Sequence, residues 1–153
     1  MPLYFAYGSN MHQEQMKTRC GNLAKIMGKG CLKAYRLGFT HYSSVWSGGV
    51  ADILPDPCAA VWGLVWNLPE TGLQLLDDYE GFNRKPKIYT RFHIPIEANG
   101  QTYADVWAYS VARKQGFIPP SNQYMDRLIC GAEEGALPDK YIATLRTIET
   151  ALQ

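Results

Sequence analysis

Tyr4-Phe5-Ala6-Tyr7-Gly8-Ser9-Asn10-Met11 is the stretch on which the rest of the chain depends. Aromatic and apolar residues from Leu3 to Tyr7 read as a strand. Gly8, Ser9 and Asn10 then turn the chain, and a helix is expected to run toward Arg19. Gly8 permits positive φ and close approach of another molecule to the backbone. Ser9 and Asn10 are good helix N-caps. A strand that runs into a helix N-terminus leaves backbone N–H groups pointing outward, ready to receive a carboxylate or a developing oxyanion. The same residues would also make an ordinary strand–turn–helix corner. A second segment, around Glu80, separates the two readings.

The helix expected from Pro69-Glu70 through Tyr79 stops at Gly81. At ~100° per residue, Leu73, Leu75, Leu76 and Tyr79 share one arc, and Glu80 falls inside it beside Leu73 and Leu76. Asp77 and Asp78 fall outside. Glu80 is therefore the acid expected to face the core or a pocket in it. A helix C-terminus disfavours anions, and neighbouring carboxylates and partial burial act in the same direction. Such a glutamate is more basic than a free one and suited to taking and returning a proton near neutral pH.

Working outward, the chain before Glu80 predicts a strand over Cys31–Phe39 after a turn at Gly28-Lys29-Gly30. A short strand, Val50–Leu54, closes at Pro55 and Pro57, and Ala60–Leu68 is too apolar to face water on either side. After Glu80, Ile88–Glu97 and Gln101–Val111 flank Asn99-Gly100, a strong type I′ hairpin signal. Pro95 places an edge or a bulge in the first of these strands. Ser121 should cap a helix that ends at Gly131, and Leu137-Pro138 should open a last helix with Tyr141, Leu145, Ile148 and Leu152 on one stripe. The expected fold is α+β. About six strands form a small mixed β-barrel or strongly curved sheet with flanking helices, one domain over residues 1–153.

The 153 residues carry a formal net charge of +1 with no basic run, which argues against nucleic acid and anionic membrane as partners. No export signal is visible and no stretch approaches the ~20 apolar residues of a membrane span, so the chain reads as soluble and cytoplasmic. Cys20, Cys31, Cys58 and Cys130 form no C-x-x-C pair and read as reduced, mostly buried thiols. His12, His41 and His93 stand apart from one another. A metal centre would need distant residues, and none is expected.

The chain resembles the γ-glutamylcyclotransferases. The resemblance rests on Tyr4 through Asn10 and on Leu76-Asp77-Asp78-Tyr79-Glu80-Gly81. It is extended by Trp46-Ser47-Gly48-Gly49-Val50-Ala51, Val61-Trp62-Gly63-Leu64-Val65-Trp66, Pro120-Ser121-Asn122-Gln123-Tyr124 and the run from Gly131-Ala132 through Gly135-Ala136-Leu137-Pro138. These segments span nearly the whole chain in order. Met11 stands where the family more often has leucine. The resemblance implies a small β-barrel with flanking helices and Glu80 as the catalytic acid/base. It implies a substrate-binding loop of Tyr4, Phe5, Ala6, Tyr7, Gly8, Ser9 and Asn10, with Tyr124 as a further substrate contact. On local pattern alone, Tyr124 reads equally well as a core residue with Met125 and Leu128.

The implied reaction turns a γ-glutamyl compound into 5-oxoproline and a free amino acid or amine. No cofactor is implied, and a homodimer is admitted. A γ-glutamylamine cyclotransferase and a non-catalytic carboxylate-binding module on the same fold are the alternatives. A cysteine hydrolase is a poor third, because neither Cys20 nor Cys31 has a motif pairing it with histidine.

Overall fold

The computed structural model describes residues 2–152. Among them, five strands close into a barrel in the order β1-β3-β2-β4-β5. These are β1 (Leu3–Ala6), β2 (Lys25–Ser43), β3 (Gly48–Asn67), β4 (Tyr89–Ala98) and β5 (Gln101–Val111). The helices are α1 (Gln13–Cys20), α2 (Glu70–Tyr79), α3 (Asn122–Glu134) and α4 (Asp139–Arg146). No helix among the described residues is long and apolar enough to cross a membrane.

The barrel is two antiparallel hairpins joined by a short strand. β2 and β3 pair along almost their full lengths, as do β4 and β5. β1 lies between β3, antiparallel, and β5, parallel. The remaining seam is brief, with β2 meeting β4 only at Gly30↔Ala98 and Cys31↔Glu97. The core runs from barrel residues such as Phe5, Val61, Leu64, Ile96 and Val106 to Met11, Met16, Leu73, Leu76 and Leu128 on the surrounding turns and helices. Each fully buried side chain of this kind contributes about 2 kcal/mol.

The expected count of six becomes five because Val50–Leu54 and Ala60–Leu68 belong to one strand. Pro55 and Pro57 do not break it, since that stretch has only β2 beside it. The pairing absorbs them by jumping from Lys33↔Ala60 to Tyr35↔Pro55, with Ala34 at φ 65° on the facing strand. Gly28-Lys29-Gly30 is likewise no turn but part of β2, with an irregularity between Ile26 and Gly28.

The Asn99-Gly100 turn forms as expected, both residues at positive φ (52° and 77°). Pro95 falls at the register shift between Ile94 and Ile96. α3 continues through Gly131 to Glu134, and α4 stops at Arg146, which leaves Leu152 fully exposed. Cys20 and Cys31 are buried, but Cys58 and Cys130 are exposed, contrary to the expectation of mostly buried thiols.

Candidate active site

A cavity of about 520 Å³ opens between the end of β1, the end of α2 and the tip of the β2–β3 hairpin. Tyr4, Tyr7, Gly8, Ser9, Asn10, Glu80 and Tyr124 all lie on its wall. Phe5 and Ala6 do not. They serve the barrel instead: both pair with β3, at Val65 and Leu64, and a Cβ on Gly63 would run into the Phe5 ring and the Ala6 carbonyl.

The corner after β1 is tighter than the sequence suggested. Ser9–Met11 form a single 3-10 turn, and α1 starts only at Gln13. His12 caps α1, its Nδ1 accepting from the Gln15 N–H at 3.2 Å; neither Ser9 nor Asn10 does so. This frees the Asn10 side chain, which is buried and organises the site. Its Nδ2 donates to Tyr4 Oη at 3.0 Å and to Glu80 Oε1 at 3.1 Å. Its Oδ1 accepts from Gln15 Nε2 at 2.9 Å and from Arg19 Nη1 at 3.0 Å. Gln15 Nε2 also donates to Ser9 Oγ at 2.8 Å, and Arg127 on α3 donates to Gln15 Oε1 at 3.0 Å.

Glu80 sits just past α2 as its C-cap, its N–H donating to the Leu76 carbonyl. Its own carbonyl accepts from Tyr89 N–H, which fastens it to the start of β4. Gly81 makes the turn at φ +69°, pressed so closely on Ile88 that a Cβ would lie 2.9 Å from Ile88 Cδ1. That conformation strains any other residue. The Glu80 side chain is 18% exposed, with Arg19 Nη1 at 3.8 Å from Oε1. Burial raises its carboxyl above the usual range; Arg19 and the Asn10 hydrogen bond pull it back, and Asp77 adds to the rise.

The helical arc was right for Glu80, Leu73 and Leu76 but wrong for its neighbours. Leu75 and Tyr79 are exposed, whereas Asp77 is buried. Asp77 is held by Arg91 of β4, with Nε at 2.8 Å from Oδ1 and Nη2 at 3.2 Å from Oδ2, and it accepts the Tyr109 hydroxyl at 2.7 Å. Tyr79 instead lies over solvent with the Arg19 guanidinium 4.7 Å from its ring centre.

Five of the tyrosines that line the cavity are buried, and their hydroxyl protons divide into two groups. Tyr7 donates to the Tyr109 carbonyl, Tyr89 to the Ala51 carbonyl and Tyr109 to Asp77. Tyr4 and Tyr124 only accept, from Asn10 Nδ2 and from Ala51 N–H at 3.0 Å. Among the described residues nothing takes their protons, so both hydroxyls remain donors toward the cavity. Burial pushes the Tyr124 hydroxyl up to about 12, against the amides of Ala51 and Ser9, and raises Tyr4 further, with Glu80 adding to the effect. Both stay protonated at neutral pH. A Cβ on Gly8 would stand 3.1 Å from Tyr124 Oη, so the corner and this hydroxyl are already in near contact.

Arg19, Gln15, Tyr89 and Tyr109 were not singled out from the sequence. Gln15 and Arg19 did carry a signal, being polar at i, i+4 on a helix whose other buried residues are Met16 and Cys20. Tyr89 and Tyr109 gave none, since aromatic residues are ordinary in strands.

The profile of the AIG2-like family matches residues 60–145. The chain is 32% identical to the mouse γ-glutamylcyclotransferase over 96% of its own length and 78% of that protein's. The human γ-glutamylcyclotransferase matches with the same identity and coverage. A solved γ-glutamyl cyclotransferase structure superposes with a TM-score of 0.92 at 30% identity, covering 99% of this chain and 90% of its own. Two distant segments converge on one cavity here, as the motifs anticipated, and the relatives share the fold along nearly all of the chain; the chain belongs to the γ-glutamylcyclotransferase family.

Proposed function

We propose that this chain closes the γ-glutamyl group of its substrate into 5-oxoproline, with Glu80 as the acid/base. The observation that carries the reading is the 3.1 Å bond from Asn10 Nδ2 to Glu80 Oε1. It ties the strand–turn corner to the end of α2 on the wall of one cavity. A corner that merely turned the chain would have no need of a raised-pKa glutamate beside it.

The substrate's α-ammonium first gives a proton to the Glu80 carboxylate. The freed amine attacks the γ-carbonyl carbon, forming the ring C–N bond and placing negative charge on the carbonyl oxygen. That charge then expels the leaving amine, which takes up the proton held by Glu80, and the ring nitrogen gives its surplus proton to the released amine. Nucleophile and electrophile share one molecule, so no cofactor is required, and the cavity's main task is to fold the substrate into a reactive conformer. The hydroxyls of Tyr4 and Tyr124 and the N–H groups of the Gly8–Asn10 turn are the donors for the α-carboxylate and the oxyanion. The cavity continues to the hairpin tip at Tyr42–Trp46 and to Arg84, which gives the leaving group its room. The exposed thiols of Cys58 and Cys130 fit a reducing compartment such as the cytosol.

Glu80→Gln keeps the shape and removes the base. Its 5-oxoproline formation is expected to fall by at least about 10²-fold with an unchanged circular dichroism spectrum. Turnover retained in the folded variant would overturn the role given to Glu80. A panel of γ-glutamyl amino acids, γ-glutamyl-lysine and glutathione, assayed with the unmodified protein, identifies the leaving group.

A further inference from the structure

Outside the cavity lining, three side chains from distant parts of the sequence converge. A His12 ring nitrogen, Cys130 Sγ and a Glu134 carboxylate oxygen all lie within 4.8 Å of one another. We infer that His12, Cys130 and Glu134 form a binding site for a zinc-class divalent cation. The histidines and cysteines are too scattered along the sequence to announce it; the fold assembles it.

The scaffold is firm. Cys130 and Glu134 are one turn apart on α3, so they present their ligand atoms on the same face. The His12 backbone is pressed onto that helix by the close approach at Gly131, where a Cβ would be 2.6 Å from the His12 backbone nitrogen. Glu134 Oε1 accepts from Gln13 N–H at 3.2 Å, which leaves Oε2 free for a cation. Nitrogen, thiolate and carboxylate together suit borderline metals, with bonds of roughly 2.0–2.3 Å for zinc. Reaching those lengths needs side-chain movements of roughly 1 Å. Cys130 would release its thiol proton to solvent as Sγ takes the cation. Cys130 and Glu134 are exposed and His12 is half-buried, so water can complete the coordination.

Occupancy has a cost for the site. The His12 Nδ1 lone pair already accepts from Gln15 N–H, which leaves the ring proton on Nε2. A cation on Nδ1 displaces that hydrogen bond. A cation on Nε2 drives the ring proton to Nδ1, where it faces another N–H. Either way α1 loses its cap, and α1 carries the Gln15 and Arg19 that hold Asn10 beside Glu80. The bound cation therefore slows turnover from outside the cavity. That coupling rests on the proposed activity, whereas the site itself does not.

The test is a Co²⁺ titration of the full chain under a phosphine reductant. A thiolate-to-cobalt charge-transfer band should saturate at one equivalent and disappear when Zn²⁺ is added. Cys130→Ser should abolish the band and weaken Zn²⁺ binding at least about tenfold. Glu134→Gln should weaken binding but keep the band, and Cys58→Ser should change neither. No band, or a band lost in Cys58→Ser and kept in Cys130→Ser, overturns the site. Saturating Zn²⁺ should lower 5-oxoproline formation by the unmodified protein and spare Cys130→Ser, whose metal-free activity should be unchanged. Equal inhibition of both, or none, overturns the coupling.

Discussion

Glu80 is held between opposing influences, and the balance decides what it can do. Burial favours the neutral acid, while the Arg19 guanidinium and the Asn10 amide favour the carboxylate. Arg19→Gln removes the cation and keeps a polar chain, so the Glu80 carboxyl should rise further. The acidic limb of kcat/KM should move to higher pH, read from a full pH–rate profile; an unmoved limb would separate Arg19 from Glu80. The same burial has a stability consequence. Because the folded state raises this carboxyl, the stability it lends is present below the unfolded pKa and lost as pH rises through the folded one. Glu80→Gln should therefore melt no lower than the parent at pH 7 by scanning calorimetry, in keeping with a site that trades stability for function. The inward direction of Glu80 was legible, because Leu73 and Leu76 mark the buried arc on the same helix. The burial of Asp77 was not, because Arg91 and Tyr109 compensate its charge from two strands far along the chain. A helical wheel sees only its own helix.

Among the elements, α3 does more than flank the barrel. Ser121 caps it as expected, its Oγ accepting from Tyr124 N–H, which seats the Tyr124 ring against Trp46 and Phe39 over the cavity. Gly131 was read as the helix stop, and the structure gives it another purpose. The helix runs on, and the missing side chain lets it touch the backbone of Met11 and His12. Gly131→Ala adds a methyl group 2.6 Å from the backbone of both residues. It is expected to cost about 1–3 kcal/mol in urea denaturation and to lower kcat by displacing the turn that carries Asn10. A variant with parental stability and kinetics would show that the contact relaxes freely. Glycine in a sequence signals a constraint without saying which one, and a helix stop and a close approach look alike until the neighbour is known. The prolines of β3 mislead for a similar reason. Their missing donors matter only where a second strand lies alongside, and that is a property of the sheet.

At the scale of the whole molecule, the two hairpins are strong and the seams between them are short. Asp52, fully buried on β3, crosses one gap with its side chain. It accepts from Thr40 Oγ1 on β2 at 2.7 Å, from Ser110 Oγ and Val111 N–H on β5 at 3.0 Å each, and from Lys114 Nζ at 2.7 Å. Asp52→Asn leaves Lys114 and some of these donors without their partner and should destabilise the fold by about 3 kcal/mol. Urea denaturation should show this as a lower midpoint with an unchanged slope. A curved sheet or small barrel with flanking helices was readable from the alternation of strands and turns. Its closure was not, since Asp52 sits in an unremarkable run and its partners lie on β2, on β5 and just beyond β5.

The parallel pairing of Leu3 with Val106 and of Tyr4 with Trp107 sets an order of events during synthesis. The corner that holds Asn10 leaves the ribosome before β5, and its strand has no second neighbour until β5 has followed. Local hairpins form readily, and contacts between remote parts of a chain come late. A nascent or truncated chain lacking β5 would therefore display the motif without the working centre, and competence would arrive only once β5 is in place.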